Sequence, residues 1–548
     1  MTTLGEQLRR RVEAWMAADP DVSTRAELRA LLAAGDATGI EERFAEPLRF
    51  GTAGLRAPLG AGPARMNRLV VRRTTAGLAR WLLERDATGG LVVGRDARHG
   101  SDAFAADTVE VAAALGVAVH PLGRPLPTPV TAFAVRHLGA AAGVMVTASH
   151  NPAADNGYKV YVGDGAQIVP PDDAAVAGAA EAAPDVPVGA PPAAAVDEPI
   201  DDEVLAAYRT MALGLIDPGG PRALRIVYTP MHGVGAAVVP GLLESAGFDP
   251  PVLVARQADP DPGFPTVAFP NPEEPGALDL ALATAREAGA DLVIANDPDA
   301  DRLAVAVPGG DGWRVLTGDE LGILLGEHRI ATTSGPDRVV ATTIVSSSML
   351  GKLARATGVG YRETLTGFKW VARAAPHLVL GYEEALGYAV TDAVADKDGI
   401  TAALVVAEMA ARVRAEGRSL LDRLDDLAAL LGVHLTRQWT QRGDPGELAR
   451  VVDAWRRDPP TRLAGLAVTQ FVDLAHGAGG LPATDAVLVR LGDAGRVVLR
   501  PSGTEPKLKV YLEVATAPPG ADGLEAARRE AAERLSELLA DVRSRSGG

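Results

Sequence analysis

The sequence has no cysteine in its 548 residues. Disulfides, zinc–thiolate sites, iron–sulfur clusters and cysteine nucleophiles are therefore excluded, and any metal site is pointed toward oxygen ligands. No unbroken apolar stretch reaches roughly 18 residues, so no membrane span is expected. The start carries Glu6, Arg9, Arg10, Arg11 and Glu13 and lacks the apolar run of a secretory signal. A basic excess is missing too. The formal net charge is −16, which argues against a general nucleic-acid binder, since such a protein must neutralise phosphates. With 47% hydrophobic and 23% charged residues, the expectation is a cytoplasmic, globular enzyme or binding protein for small molecules. Lysine is the scarcest charged residue. Only six of the 54 basic residues are Lys: Lys159, Lys352, Lys369, Lys397, Lys507 and Lys509. All but Lys352 fall in the motifs described below. In a chain that otherwise prefers Arg, this suggests Lys is kept where a compact, titratable ammonium is needed.

The length suits roughly three to five domains. Short apolar runs end repeatedly in polar, Gly-bearing turns. Leu91–Val93 leads into Gly94-Arg95-Asp96, and Gly143–Val146 into Thr147-Ala148-Ser149-His150. Leu224–Tyr228, Leu292–Ala295, Val339–Ile344 and His377–Leu380 behave alike. Helical patterns such as Leu278–Ala288 and Ala402–Arg414 lie between them. The alternation predicts α/β domains with mostly parallel sheets, which bind ligands beyond the carboxyl ends of their strands. Asp173–Glu198 is Ala/Pro-rich and reads as an excursion, a helix plus loop near a boundary. The last hundred residues differ. Val487–Leu491, Arg496–Leu499 and Lys509–Val514 predict a small antiparallel sheet, and Gly523–Arg543 an amphipathic helix, hence a separate α+β domain.

The sharpest local signal is Asp297-Pro298-Asp299-Ala300-Asp301-Arg302. In an extended segment, carboxylates at i, i+2 and i+4 point the same way, and three like charges held together call for a cation. An all-oxygen set favours Mg²⁺ or Ca²⁺. A calcium loop fails on detail, because Arg302 and Pro308 stand where it needs Gly and Glu. A second signal is Thr147-Ala148-Ser149-His150-Asn151-Pro152, continuing to Asp155-Asn156-Gly157-Tyr158-Lys159. The Ser149 hydroxyl is a candidate nucleophile or phosphoryl carrier, although on its own such a Ser-His pair is usually just a turn. The Gly-x-Ser-x-Gly turn of a Ser-His-Asp hydrolase is absent from this loop. In Arg500-Pro501-Ser502-Gly503-Thr504-Glu505-Pro506-Lys507-Leu508-Lys509, backbone N–H groups, two hydroxyls and flanking cations have the make-up of an anion nest, with a hairpin turn as the plainer alternative. Gly381-Tyr382-Glu383-Glu384-Ala385-Leu386-Gly387, followed by Lys397-Asp398-Gly399, offers paired carboxylates suited to a polyol. Arg49-Phe50-Gly51-Thr52-Ala53-Gly54-Leu55-Arg56 is a weaker Gly-bearing loop.

Taken in this order, the Ser-His-Asn-Pro, Asp-x-Asp-x-Asp-Arg, Glu-Glu and Arg-Pro-Ser-Gly-Thr-Glu-Pro loops resemble the α-D-phosphohexomutase superfamily. Asp155–Tyr161, Phe264-Pro265-Thr266, Phe269-Pro270-Asn271-Pro272-Glu273 and Thr366-Gly367-Phe368-Lys369-Trp370 look like its phosphoglucomutase/phosphopentomutase branch. The resemblance implies four domains around a central cleft: three similar α/β domains with mixed, mostly parallel sheets, and a C-terminal α+β domain. The expected boundaries are 1–205, 206–315, 316–435 and 436–548. It further implies that Ser149 carries the phosphoryl group and that Asp297, Asp299 and Asp301, with a phosphoserine oxygen, hold Mg²⁺. Arg302 and Arg56 would position the phosphoryl group, and His150 and Lys159 would be the acid/base candidates. Glu383 would grip sugar hydroxyls, with Glu384, Thr366, Gly367, Lys369 and Lys397 nearby. Arg500, Ser502, Gly503, Thr504 and Lys509 would hold the phosphate that is not transferred.

The implied activity is interconversion of glucose 1-phosphate and glucose 6-phosphate through a phosphoserine and a sugar 1,6-bisphosphate. The protein would be a monomer or homodimer, with neither nucleic-acid nor membrane partners. Several relatives have Glu-x-Ser in the sugar loop where this chain has Glu383-Glu384-Ala385. That departure keeps ribose and deoxyribose 1-phosphates as alternative substrates, with mannose or glucosamine phosphates third. A Mg²⁺-dependent phosphatase and a non-catalytic sugar-phosphate binder are the alternatives of other classes.

Overall fold

The computed structural model describes residues 5–48, 54–183, 185–310, 312–501 and 506–547. The chain forms two compact units, Met1–Ala306 with Ala393–Val405, and Val307–Asp392 with Val406–Gly548.

The first unit opens with helices Glu6–Ala18, Val22–Ala34 and Ala37–Arg43. Asp21 caps the second by accepting from the Ser23 N–H, and Gly35, at φ 64°, ends it in the left-handed conformation. Val12, Trp15, Leu28, Ile40 and Phe44 join the core of the first sheet. That sheet contains β1 (Leu55–Pro58), β2 (Leu91–Arg95), β3 (Val119–Pro121), β4 (Ala142–Val146) and β5 (Asp155–Val162) in the order β1-β5-β4-β2-β3. β2 runs parallel to β3 and β4, whereas β5 is antiparallel to β4 and β1 to β5. Every residue of β4 is buried, as expected for a central strand covered on both faces.

A second sheet includes β6 (Ile226–Thr229), β7 (Val252–Leu253), β8 (Leu292–Ala295) and β9 (Ala304–Gly309). β6 is parallel to β7 and β8, and β9 is antiparallel to β8. The segment Asp173–Glu198, read from sequence as an excursion, begins within helix Asp172–Glu181. This helix lies so close to helix Arg68–Leu83 that a Cβ on Gly77 would come within 2.5 Å of the Ala180 backbone.

In the second unit, β10 (Gly312–Val315) precedes the third sheet. That sheet comprises β11 (Val339–Thr343), β12 (Gly360–Thr364), β13 (Leu378–Glu383) and β14 (Gly387–Ala389), ordered β12-β11-β13-β14. Only β14 is antiparallel. β15 (His434–Arg442) follows, then a short hairpin of β16 (Arg462–Leu463) and β17 (Leu466–Ala467). β15 also belongs to the fourth sheet, with β18 (Gln470–Asp473), β19 (Val487–Arg490), β20 (Gly495–Pro501) and β21 (Lys507–Ala515). The fourth sheet is antiparallel throughout, and Trp455, Leu535, Leu538 and Val542 from helices Pro445–Arg457 and Gly520–Arg545 join its core. The four-domain α/β architecture expected from sequence, with an α+β end, is therefore present. Between the third and fourth sheets, Glu363 of β12 accepts from Arg490 and Arg496, each at 2.5 Å. Arg496 also faces Glu513 at 3.1 Å and is the main attraction that, against burial, holds that carboxyl at about 2. No helix among the described residues is long and apolar enough to cross a membrane.

Gly157 lies on β5 between β1 and β4. A Cβ there would meet the Thr147 and Leu55 carbonyl oxygens at 2.5 and 2.7 Å. Both obstacles are backbone and cannot rotate away. Gly157→Ala is expected to lower the stability of the first unit by about 1–3 kcal/mol, the usual cost of overpacking, read as a lower urea midpoint.

Candidate active site

β4 delivers Thr147-Ala148-Ser149-His150 at its carboxyl end. Thr147 Oγ1 accepts from the Ser149 N–H at 2.9 Å, and Ser149 adopts φ 53°. For a non-glycine residue this left-handed conformation costs about 1–3 kcal/mol and persists only where surrounding contacts enforce it. The Ser149 side chain is buried. Its Oγ donates to Asp297 Oδ2 at 3.0 Å and lies 3.2 Å from His150 Nδ1.

Asp297 follows β8, but the acidic run is not the extended segment expected from its spacing. The Ala300 N–H bonds the Asp297 carbonyl at 2.9 Å, and Ala300 has φ 56°. A turn, rather than strand alternation, gathers the three carboxylates. One oxygen from each lies within 4.8 Å of the others, and all three side chains are buried. The Arg302 N–H donates to Asp297 Oδ1 at 2.9 Å, and Arg302 Nη1 pairs with Glu273 at 3.0 Å. Thr128 clasps Asp299 twice, through Oγ1 to Oδ2 at 2.7 Å and through its N–H to the carbonyl at 2.9 Å.

Two lysines face the cluster. Lys159, on β5 and 2% exposed, donates to Asp299 Oδ2 at 2.8 Å and Asp301 Oδ2 at 3.0 Å. Lys397 Nζ lies 3.1 Å from Asp301 Oδ2 and 3.5 Å from Asp396. Asp396 in turn accepts from Tyr161 and Gln167, each at 2.8 Å. Burial, then the Asp299 and Asp301 charges, push the Asp297 carboxyl well above its usual range. Burial acts on Asp301 in the same direction, but Lys159, Lys397 and Arg302 outweigh it and hold this carboxyl far below. Burial, then the cations Arg302 and Arg56, depress His150 strongly, so the imidazole is neutral at neutral pH. Lys159 moves up: burial opposes its charge, and Asp299 and Asp301 overcome that. Asp299 Oδ1 and Asp301 Oδ1 are buried without a hydrogen-bond partner among the described residues. Two orphaned oxygens in an all-carboxylate set fit a small, hard divalent cation.

Arg56, on β1, donates to Asn151 Oδ1 at 2.8 Å, and Asn151 donates to Asp155 at 2.7 Å. The structure thus brings Ser149, His150, Lys159, Arg56, Arg302, Lys397 and the three aspartates together in the first unit. Two polar residues absent from the sequence reading also belong here. Thr128 seats Asp299, and Arg98 reaches the carbonyls of the Ser149 loop. Neither forms a local motif, so chain spacing carried no signal for them.

In the second unit, Thr366, Gly367 and Lys369 follow β12. The Gly367 N–H donates to Glu383 Oε1 at 2.6 Å, and Gly367 has φ 110°. Glu383 is the last residue of β13 rather than part of the turn. Glu384 accepts from Ser346 Oγ at 3.0 Å and Thr343 Oγ1 at 3.4 Å, so its carboxylate engages the tip of β11. Lys369 is buried, with Nζ 5.8 Å from the Trp370 ring centroid. Arg500 on β20 and Lys509 on β21 are cross-strand partners. Ser502, Gly503 and Thr504 lie outside the described residues.

Models of the phosphoglucomutase/phosphomannomutase family match in sequence order: α/β/α domain I at residues 47–185, domain II at 211–310, domain III at 317–430 and the C-terminal domain at 450–531. A probable phosphomannomutase of Haemophilus influenzae is 42% identical, over 82% of this chain and 93% of that protein. The phosphopentomutase of Mus musculus is 34% identical, over 96% and 93%. A phosphoglucomutase of Staphylococcus epidermidis is 34% identical, over 86% and 92%.

Burial, then the neighbouring Glu383 and Asp319 carboxylates, push Glu384 up from 4.5 to about 7. The folded state then holds this proton more tightly than the unfolded chain, so between those two values stability falls as pH rises. Glu384→Gln removes the titration. Its Tm is expected to gain on that of the unsubstituted protein as pH rises through the window, and parallel Tm profiles would refute the assignment.

Proposed function

The chain belongs to the phosphoglucomutase/phosphomannomutase family and is a phosphomutase, and from that premise we propose that it interconverts glucose 1-phosphate and glucose 6-phosphate through a phosphoserine at Ser149. The observation that carries this reading is the buried Ser149 Oγ at 3.0 Å from Asp297, in a carboxylate cluster with two oxygens that lack a partner among the described residues. Asp297, Asp299 and Asp301 would hold Mg²⁺ with a phosphoserine oxygen, and the ion would supply positive charge to the phosphoryl oxygens. We take 1–205, 206–315, 316–435 and 436–548 as the four domains.

In the forward half-reaction the bond between phosphorus and Ser149 Oγ breaks, and a bond forms to the free hydroxyl oxygen of the sugar monophosphate. Of the two acid/base candidates next to the cluster, the neutral His150 imidazole can take the hydroxyl proton, and Lys159, an ammonium held by Asp299 and Asp301, can supply one. The resulting sugar 1,6-bisphosphate turns around and returns its other phosphoryl group to Ser149, with the proton moving back. Arg56 and Arg302 flank the transferred group, and Arg500, Ser502, Gly503, Thr504 and Lys509 bind the stationary phosphate. Glu383, Glu384, Thr366, Gly367, Lys369 and Lys397 serve sugar binding. Burial of Ser149 limits loss of its phosphoryl group to water.

A second reading, action on ribose or deoxyribose 1-phosphate, is favoured by Ala385, which removes a hydroxyl from the sugar loop, and by the mouse phosphopentomutase relative. The test is kcat/KM for glucose, ribose, deoxyribose and mannose 1-phosphates in parallel with Mg²⁺. Glucose 1-phosphate is expected to lead, and a lead for ribose 1-phosphate would transfer the assignment to the pentose.

Incubation with glucose 1,6-bisphosphate should add about 80 Da at Ser149, as phosphorylation implies. Ser149→Ala should abolish turnover and Arg500→Ala should mainly raise KM. Retained turnover in Ser149→Ala would point to a phosphatase-like reaction without a phosphoserine.

A further inference from the structure

Arg98 stands on the turn after β2 and is 4% exposed. Its guanidinium serves four backbone carbonyls of one loop. Nη2 donates to Ser149 O and Asn151 O at 2.6 Å each, and Nη1 donates to Pro152 O at 2.8 Å and Asp155 O at 3.2 Å. Nε lies 3.3 Å from Asp96 Oδ2, while Asp96 Oδ1 accepts from the Arg98 N–H at 3.0 Å and Ser101 Oγ at 2.6 Å. The guanidinium carbon sits 4.8 Å from the Phe264 ring centroid. The group is therefore anchored by a carboxylate and backed by an aromatic ring, with its fork spread across residues 149–155.

We propose that Arg98 is a positioning residue for phosphoryl transfer: it holds the Ser149 backbone in its left-handed conformation and so aims Oγ at the reacting phosphorus. The proposal rests on Ser149 being the phosphoryl carrier. Nothing in the chain spacing requires Ser149 to keep φ 53°. A free loop would relax, and relaxation swings Oγ away from Asp297 and His150. A planar guanidinium offers five N–H donors in fixed directions, so one group can tie several carbonyls at once. A lysine ammonium keeps the charge but has three donors on one nitrogen and cannot span the same loop. Arg98 makes no direct contact with the hydroxyl it would orient, so its effect should fall on the chemical step and leave ground-state substrate binding alone.

The experiment compares Arg98→Lys, Phe264→Leu and Ser149→Ala with the unsubstituted enzyme at saturating Mg²⁺ and glucose 1,6-bisphosphate. Arg98→Lys is expected to lower kcat about a hundredfold, the scale of a roughly 1 Å misplacement, with KM for glucose 1-phosphate within about twofold. Its Ser149 should also take up phosphate more slowly by intact-protein mass. A kcat unchanged by Arg98→Lys overturns the proposal, because charge alone would then suffice. Equal loss in kcat and rise in KM overturns it as well. If Arg98→Lys does not fold, Phe264→Leu decides: kcat lowered about tenfold at constant KM supports the role of the clamp, and unchanged kcat refutes it. Turnover surviving in Ser149→Ala would instead strike down the phosphoserine reading itself, whatever the Arg98 variants do.

Discussion

Three carboxylates buried within a few ångströms of one another are the constraint on which the first unit depends. Burial alone would force protons onto them, so cations must be delivered from elsewhere in the chain. Lys159 arrives on β5, which is antiparallel to the strand that carries the Ser149 loop. Lys397 arrives on the segment Ala393–Val405, far along the chain. That segment joins the first unit through buried polar links: Asp396 with Tyr161 and Gln167, and Asp398 with Tyr208. Its sequence neighbours on both sides belong to the second unit. The segment thus brings a cation from far along the chain to the acidic loop of the first unit.

Two of the buried charge clusters are solved differently. Around Asp299 and Asp301 the partners are ammonium groups, point charges that leave one oxygen of each carboxylate unsatisfied. Between the third and fourth sheets the partners are guanidinium groups. There Glu363 takes one bond from each of two arginines, and Arg496 reaches on to Glu513. Planar forks lock a joint, whereas point charges leave coordination capacity for a further ligand. The scarcity of lysine makes the choice visible.

Nine strands (β2, β4, β6, β8, β11, β13, β19, β20 and β21) were legible because each is a short apolar run, and the acidic triad because its residues are close in sequence. The geometry of that triad was not. Alternation suggested an extended segment, but Ala300 takes a left-handed conformation and the loop closes on itself. Glu383 was read as a turn residue although pairing with Gly387 extends β13 through it. Thr128 and Arg98 escaped notice for a different reason. Their partners are backbone carbonyls and a carboxylate distant in sequence, and such bonds impose no spacing on the chain. Residues 502–504 have the composition of an anion nest, and their geometry lies outside the described residues.

The placement of the lysines reaches beyond the active site. Lys159 and Lys369 are buried, and the other four are only half-exposed. The positive charge on the outer shell is therefore carried almost wholly by guanidinium groups. Side-chain amines are the usual handles for acylating labels, aldehyde cross-linkers and lysine-specific proteases. Toward all of these the folded protein would present a nearly blank surface, and a lysine-directed cut would become a reporter of local opening.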